Sequence, residues 1–152
     1  METAAAAATR TETVLRACLA EAAFEHVRLT VRGACMAPHA VDGARVRLVA
    51  AGRRAPRFGD VVLARTPAGL RLHRLVWPPW PARARRLRTM ADRAICLDPG
   101  LPAGDVLAVA LAVERDGRMA PPRRRATALR SLLRALATKL RHDLLRLRTE
   151  AA

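Results

Sequence analysis

Apolar and polar residues change rhythm several times along this chain, and each change marks an element. From Glu12 to His26 the apolar residues Val14, Leu15, Cys18, Leu19, Ala22 and Ala23 recur at spacings of three and four, which predicts a helix with one buried face. At Val27 the period drops to two. Val27, Leu29 and Val31 alternate with Arg28, Thr30 and Arg32, as in a half-buried strand, and Gly33 ends it. Val46, Leu48 and Ala50 repeat the alternation, and Gly52 to Arg57 follow as a basic turn. Val61 to Ala64 and Leu70 to Val76 predict a hairpin, because Thr66-Pro67-Ala68-Gly69 between them supplies the proline and glycine of a tight connection. Trp77 to Pro81 holds three prolines in five residues. Proline has no N–H for a ladder, so this stretch reads as a surface loop. Leu87 to Met90, Ile95 to Leu97 and Val106 to Val113 are further short strands by the same pattern, and Arg115-Asp116-Gly117-Arg118 is a turn.

After Pro121-Pro122 and Arg123-Arg124-Arg125 the helical period returns. Leu129, Leu132, Leu133, Leu136, Leu140, Leu144 and Leu147 mark a helix from about Ala126 to Arg148, with Arg130, Arg134, Lys139, Arg141, Arg146 and Arg148 around them. Such a leucine stripe packs on the domain or on a second copy, or it lies in an anionic membrane surface with arginines at the headgroups. The chain thus divides into an N-terminal tail and helix (1–26), a mainly β domain (27–118) and a basic linker with an amphipathic helix (119–152).

Charge changes this picture only partly. There are 28 Lys+Arg against 13 Asp+Glu, a net charge of +15, which points toward acidic partners. All the basic residues but Lys139 are arginines in an alanine-, leucine- and proline-rich background, so part of the charge is compositional drift. With no Tyr, two Phe and two Trp, stacking platforms for nucleic acid are hard to assemble, and specific nucleic-acid binding is disfavoured. Cys18, Cys35 and Cys96 form no CxxC pair and their odd number leaves a thiol unpaired, which fits a reducing compartment. Neither they nor His26, His39, His73 and His142 have metal-ligand spacing, so no metal and no cofactor is expected. The ends lack the pattern of a targeting segment. Val106 to Val113, the longest strongly apolar run, is eight residues, far short of the roughly 20 that cross a bilayer as a helix. A cytoplasmic location, peripheral at the inner membrane surface if the last helix binds lipid, follows as the expectation.

Chemistry concentrates in three segments: Gly33-Ala34-Cys35-Met36-Ala37-Pro38, Leu72-His73-Arg74-Leu75-Val76, and Thr89-Met90-Ala91-Asp92 running on to Asp98. The first is a turn at the end of a strand, where Gly33 permits a tight bend and Pro38 fixes the exit. It presents Cys35, a thiol with an adjacent backbone N–H suited to an oxyanion, and Met36, either a core residue or a wall of a substrate pocket. The second offers His73, whose imidazole can take a proton at physiological pH and pair with a thiol. The third offers carboxylates that can fix the tautomer of that histidine.

These segments resemble the three boxes of the signal peptidase and LexA group, in its histidine type, with Cys35 standing where the serine nucleophile is expected. Val41 to Val46, Phe58-Gly59-Asp60-Val61-Val62 and Val106 to Ala110 resemble the supporting boxes in the same order. Ala91 and Met90 depart from the glycine and lysine usual before the third-box aspartate, and Ala108 from a glycine of the closing strand. The resemblance spans residues 28 to 118. It implies a bent, barrel-like β sheet and an endopeptidase that binds a peptide or leader as an extended strand. By it, Cys35 is the nucleophile, His73 the base and Asp98, six residues after Asp92, the orienting acid. Asp92 is the alternative acid. Gly33, Cys35 and Met36 would line the oxyanion and substrate site. Two other functions stay open: an inactive peptide-binding member of the same fold, and a basic adaptor for membrane or nucleic acid. The sequence does not fix the oligomeric state.

Overall fold

The computed structural model describes residues 4–21, 25–78, 85–122 and 125–150; the side chains of 4–10, 115, 125 and 142–150 lie outside that description. In chain order the elements are α1 (Ala4–Ala20), β1 (Val27–Thr30), β2 (Arg45–Ala50), β3 (Val61–Thr66), β4 (Gly69–Trp77), β5 (Arg86–Met90), β6 (Leu101–Pro102), β7 (Val106–Arg115), β8 (Arg118–Ala120) and α2 (Arg125–Glu150). The protein is mainly β with a helix at each end.

The eight strands form one antiparallel sheet in the order β1-β2-β7-β3-β4-β5-β6, and β8 pairs with β7. The central strand β7, ten residues long, serves three partners. Residues 106–109 pair with β3, 108–113 with β2, and 113–115 with β8. The sheet therefore forks at β7. Irregularities of register at Arg47/Leu48, Leu63/Ala64 and Leu75/Trp77 interrupt three ladders, and such bulges add local bend and twist.

Bending separates the core into packed regions. Leu15 and Leu19 of α1 join Val31, Met36, Val46, Leu48, Val61 and Leu63 on one face. Val62, Ala64, Leu75, Leu87, Leu101 and Val109 fill the other. A third cluster puts Ala128 and Ala135 of α2 on Val76 of β4 and Met90 of β5.

The alternating segments predict the main strands correctly, and the hairpin β3–β4 closes where expected, with Thr66 opposite Gly69. Four elements differ. Helix α1 starts at Ala4, eight residues earlier than the apolar period implies, because the run of alanines at 4–8 has the highest intrinsic helix propensity, and it ends at Ala20, short of His26, with Ala22 and Ala23 outside the described residues. Trp77 is the last residue of β4 rather than part of a loop, and residues 79–84 lie outside the described residues. Ile95 to Leu97 is not a strand; Ile95 is exposed and the chain from Asp92 to Gly100 bends without ladder partners. Finally, α2 is turned over. Its buried residues are Ala128, Ser131 and Ala135, while Leu129, Leu133, Leu136 and Leu140 are exposed. These four leucines do not pack on the domain, because α2 approaches the sheet closely through small side chains; Leu132 is half-buried, and the side chains of Leu144 and Leu147 lie outside the described residues.

Candidate active site

The turn carrying Cys35 is built by its neighbours. After β1 the chain stays extended at Val31, whose N–H donates to Ala44 O at 2.8 Å while its carbonyl accepts from Gly43 N at 3.0 Å. Gly33 then adopts a φ of 88°, a conformation that costs other residues strain, and its N–H donates to the Asp42 carboxylate at 2.7 Å. Three residues on, Met36 is fully buried and its carbonyl accepts the N–H groups of His39 and Ala40, each at 2.9 Å. Met36 is thus an anchor of the turn in the core, not a wall of the groove. Cys35, next to that anchor, is exposed. Among the described residues its N–H donates to no backbone carbonyl.

His73 sits in β4 opposite Val62 and is buried. Its Nδ1 meets Asp98 Oδ2 at 2.6 Å. The same oxygen accepts from the Thr89 hydroxyl at 2.6 Å, and Asp98 N donates to Thr89 O at 2.9 Å. Thr89, buried in β5, carries no chemical signal in the sequence beyond its position at the head of the third segment. Burial pushes the Asp98 carboxyl up, but hydrogen bonds from His73 and Thr89, with the charges of His73 and Arg71, outweigh it and hold it below the ordinary carboxylate range.

Asp92 does something else. Successive residues of a strand point to opposite faces, so Arg74 turns away from His73. Its guanidinium, fully buried, grips the Asp92 carboxylate through Nε and Nη2, each at 2.7 Å, and donates to Gly59 O at 2.8 Å. From α2, Arg134 donates to the Asp92 carbonyl at 2.7 Å. A buried, bidentate pair of this kind is structural: removing one partner would strand the other charge in the interior. The supporting Asp60 is likewise buried, accepting from Arg54 at 3.1 and 3.2 Å and from Arg57 N at 3.0 Å. Between the two anchors, Arg93 N donates to Cys35 O at 3.1 Å and joins the acid-bearing loop to the cysteine turn.

Cys35 and His73 line one groove of about 490 Å³, whose floor and walls include Leu29, Leu48, Leu70 and Leu72, with Thr11 of α1 at its rim. Its lining suits an extended chain with apolar side chains. With Nδ1 engaged by Asp98, Nε2 is the nitrogen left to take or give a proton. Among the described residues no hydrogen bond joins the Cys35 sulfur to the imidazole. The other cysteines are not part of the site: Cys18 is half-buried in α1, and Cys96 is exposed on the loop. Among the described residues no three His, Cys, Asp or Glu side chains converge as a metal-ligand set.

Comparison with protein-family models, curated proteins and solved structures found nothing that matches this chain.

Proposed function

We propose that the chain is a signal peptidase-like endopeptidase in which a Cys-His-Asp site replaces Ser-His-Asp. The observation that carries this reading is the His73 imidazole, held through Nδ1 by Asp98 at 2.6 Å, in the groove that the exposed Cys35 also lines. Three residues from distant segments supply a nucleophile, a base and an orienting acid, the set that acyl transfer needs.

In the proposed reaction a peptide lies along the groove as an extended strand. His73 Nε2 takes the thiol proton, and the sulfur attacks the scissile carbonyl. Negative charge developing on the carbonyl oxygen is met by the Cys35 N–H. Asp98, kept ionised by its hydrogen bonds, stabilises the imidazolium. The imidazolium then protonates the leaving amine, and the amine product departs from a thioester on Cys35. Water, deprotonated by His73, hydrolyses that thioester and regenerates the thiol. By analogy with the resembled group, small residues flank the cut, and a leader on a ribosomally made peptide is a fitting substrate class.

A second reading has its own support. The missing sulfur–imidazole hydrogen bond fits a member that keeps the groove for binding and has lost turnover, although such bonds often tighten only when substrate is present. A library of peptides carrying small residues separates the two. The enzyme reading expects cleavage by the native chain, none by Cys35→Ala, and a fall of about a hundredfold or more for His73→Ala. Cleavage by Cys35→Ser alone, with an inert native chain, supports the binding member.

A further inference from the structure

We infer that the outer face of α2 is a docking surface for an anionic lipid bilayer, on which the helix lies flat. This goes beyond the peptidase reading and does not depend on it.

The first observation is the inversion of the helix. Leu129, Leu133, Leu136 and Leu140 are 52%, 57%, 53% and 63% exposed, while the residues turned toward β4 and β5 are Ala128, Ser131 and Ala135. The spacing of four, three and four keeps these leucines on one line along the helix. A soluble surface tolerates single exposed leucines, but four in a row on one ridge mark an interaction site.

Charge identifies the occupant. From Arg125 to Arg141 the helix carries Arg125, Arg130, Arg134, Lys139 and Arg141 and no acidic residue. At 100° per residue, Arg130, Arg134 and Arg141 fall on one flank of the leucine line and Lys139 on the other. All four are exposed, but Arg134 is tied to the Asp92 carbonyl, so Arg130 and Arg141 carry the charge of that flank. Long basic side chains beside an apolar stripe bury their stems at the acyl boundary and reach headgroup phosphates with their charges. A second copy of the chain fits less well, since pairing two such faces brings like charges together in a molecule already at +15. A folded acidic protein also fits less well. The exposed leucines line none of the described grooves, although Arg130 and Arg134 beside them border one, and the helix carries no Trp, Tyr or Phe from Arg125 to Glu150 as an anchor. No described helix is long and apolar enough to cross a membrane, so contact at the surface is the mode α2 can support.

The test is flotation of the full chain with phosphatidylcholine vesicles, with and without phosphatidylglycerol, at low and high salt. The expected result is binding to the phosphatidylglycerol vesicles only, weakened by salt. A Leu133→Ser/Leu136→Ser variant, changed only at exposed positions, should keep its thermal unfolding midpoint and lose affinity by about tenfold or more. Arg130→Glu/Arg141→Glu should lose binding as well. Failure to bind anionic vesicles overturns the proposal. Equal binding by the leucine variant also overturns it, showing diffuse charge attraction without insertion. A concentration-dependent dimer abolished by the leucine changes, with no lipid binding, would assign the ridge to a second copy instead.

Discussion

Asp98 shows how a single side chain links stability to chemistry. Its carboxyl is held below the ordinary range despite burial, because His73 and Thr89 both donate to one of its oxygens. A carboxylate with a lowered folded-state pKa stabilises the fold above its unfolded value, about 3.9 for aspartate, and that contribution is lost as pH falls through the folded value. Asp98→Asn should therefore be less stable than the native chain near neutral pH, by about 1–2 kcal/mol. The gap should close as pH drops below about 4, read by urea unfolding across pH. A gap that persists unchanged into strong acid would mean that the asparagine disturbs packing rather than removing a charge-assisted bond. Asp98 was legible in the sequence through its spacing from Asp92 and the resemblance of the third segment. Thr89 was not, because a threonine in a short strand is ordinary until the fold puts its hydroxyl against the carboxylate.

Strands were legible where one face is buried and the other wet, since burial imposes a period of two that the sequence must keep. That condition holds over the first part of β2, where buried Val46 and Leu48 flank the more accessible Arg47, and ends at Val49, which is buried on the opposite face. It fails for β6, two residues long, and β8, three residues long, which are too short to show a period. It also misleads at Ile95 to Leu97, where apolar residues sit on a loop fixed by Arg74–Asp92 at one end and His73–Asp98 at the other. Helix α2 exposes a different limit. Periodicity locates a leucine stripe but carries no information on which side meets the sheet, and here close approach through alanine and serine decides it. Ala128→Leu should consequently destabilise the fold, by about 1–3 kcal/mol from overpacking, while Leu133→Ser should shift stability by less than about 0.5 kcal/mol. Chemical denaturation of both variants checks this, and the reverse order would mean that α2 buries its leucines.

At the scale of the whole molecule, one connected device emerges from three sequence segments. Adjacent residues of β4, His73 and Arg74, each hold an acid of the same loop from opposite faces of the strand. That loop is in turn tied to the cysteine turn through Arg93 N and Cys35 O at 3.1 Å. The sheet, the loop and the turn thus position the thiol and the imidazole on one groove. The sequence could name the three chemical groups because each falls in a recognisable segment, but not their connection, which depends on hydrogen bonds between residues far apart in the chain. The claim that they act as a unit is tested most directly by the rate of Cys35 alkylation at neutral pH. The measurement uses a chain with Cys18→Ser and Cys96→Ser and compares it with the same chain carrying His73→Ala or Asp98→Asn. Proton transfer to His73 predicts a rate about tenfold higher with histidine present than without it, and an intermediate rate for Asp98→Asn. Equal rates in all three would contradict the account and leave Cys35 as an exposed thiol beside an unrelated histidine.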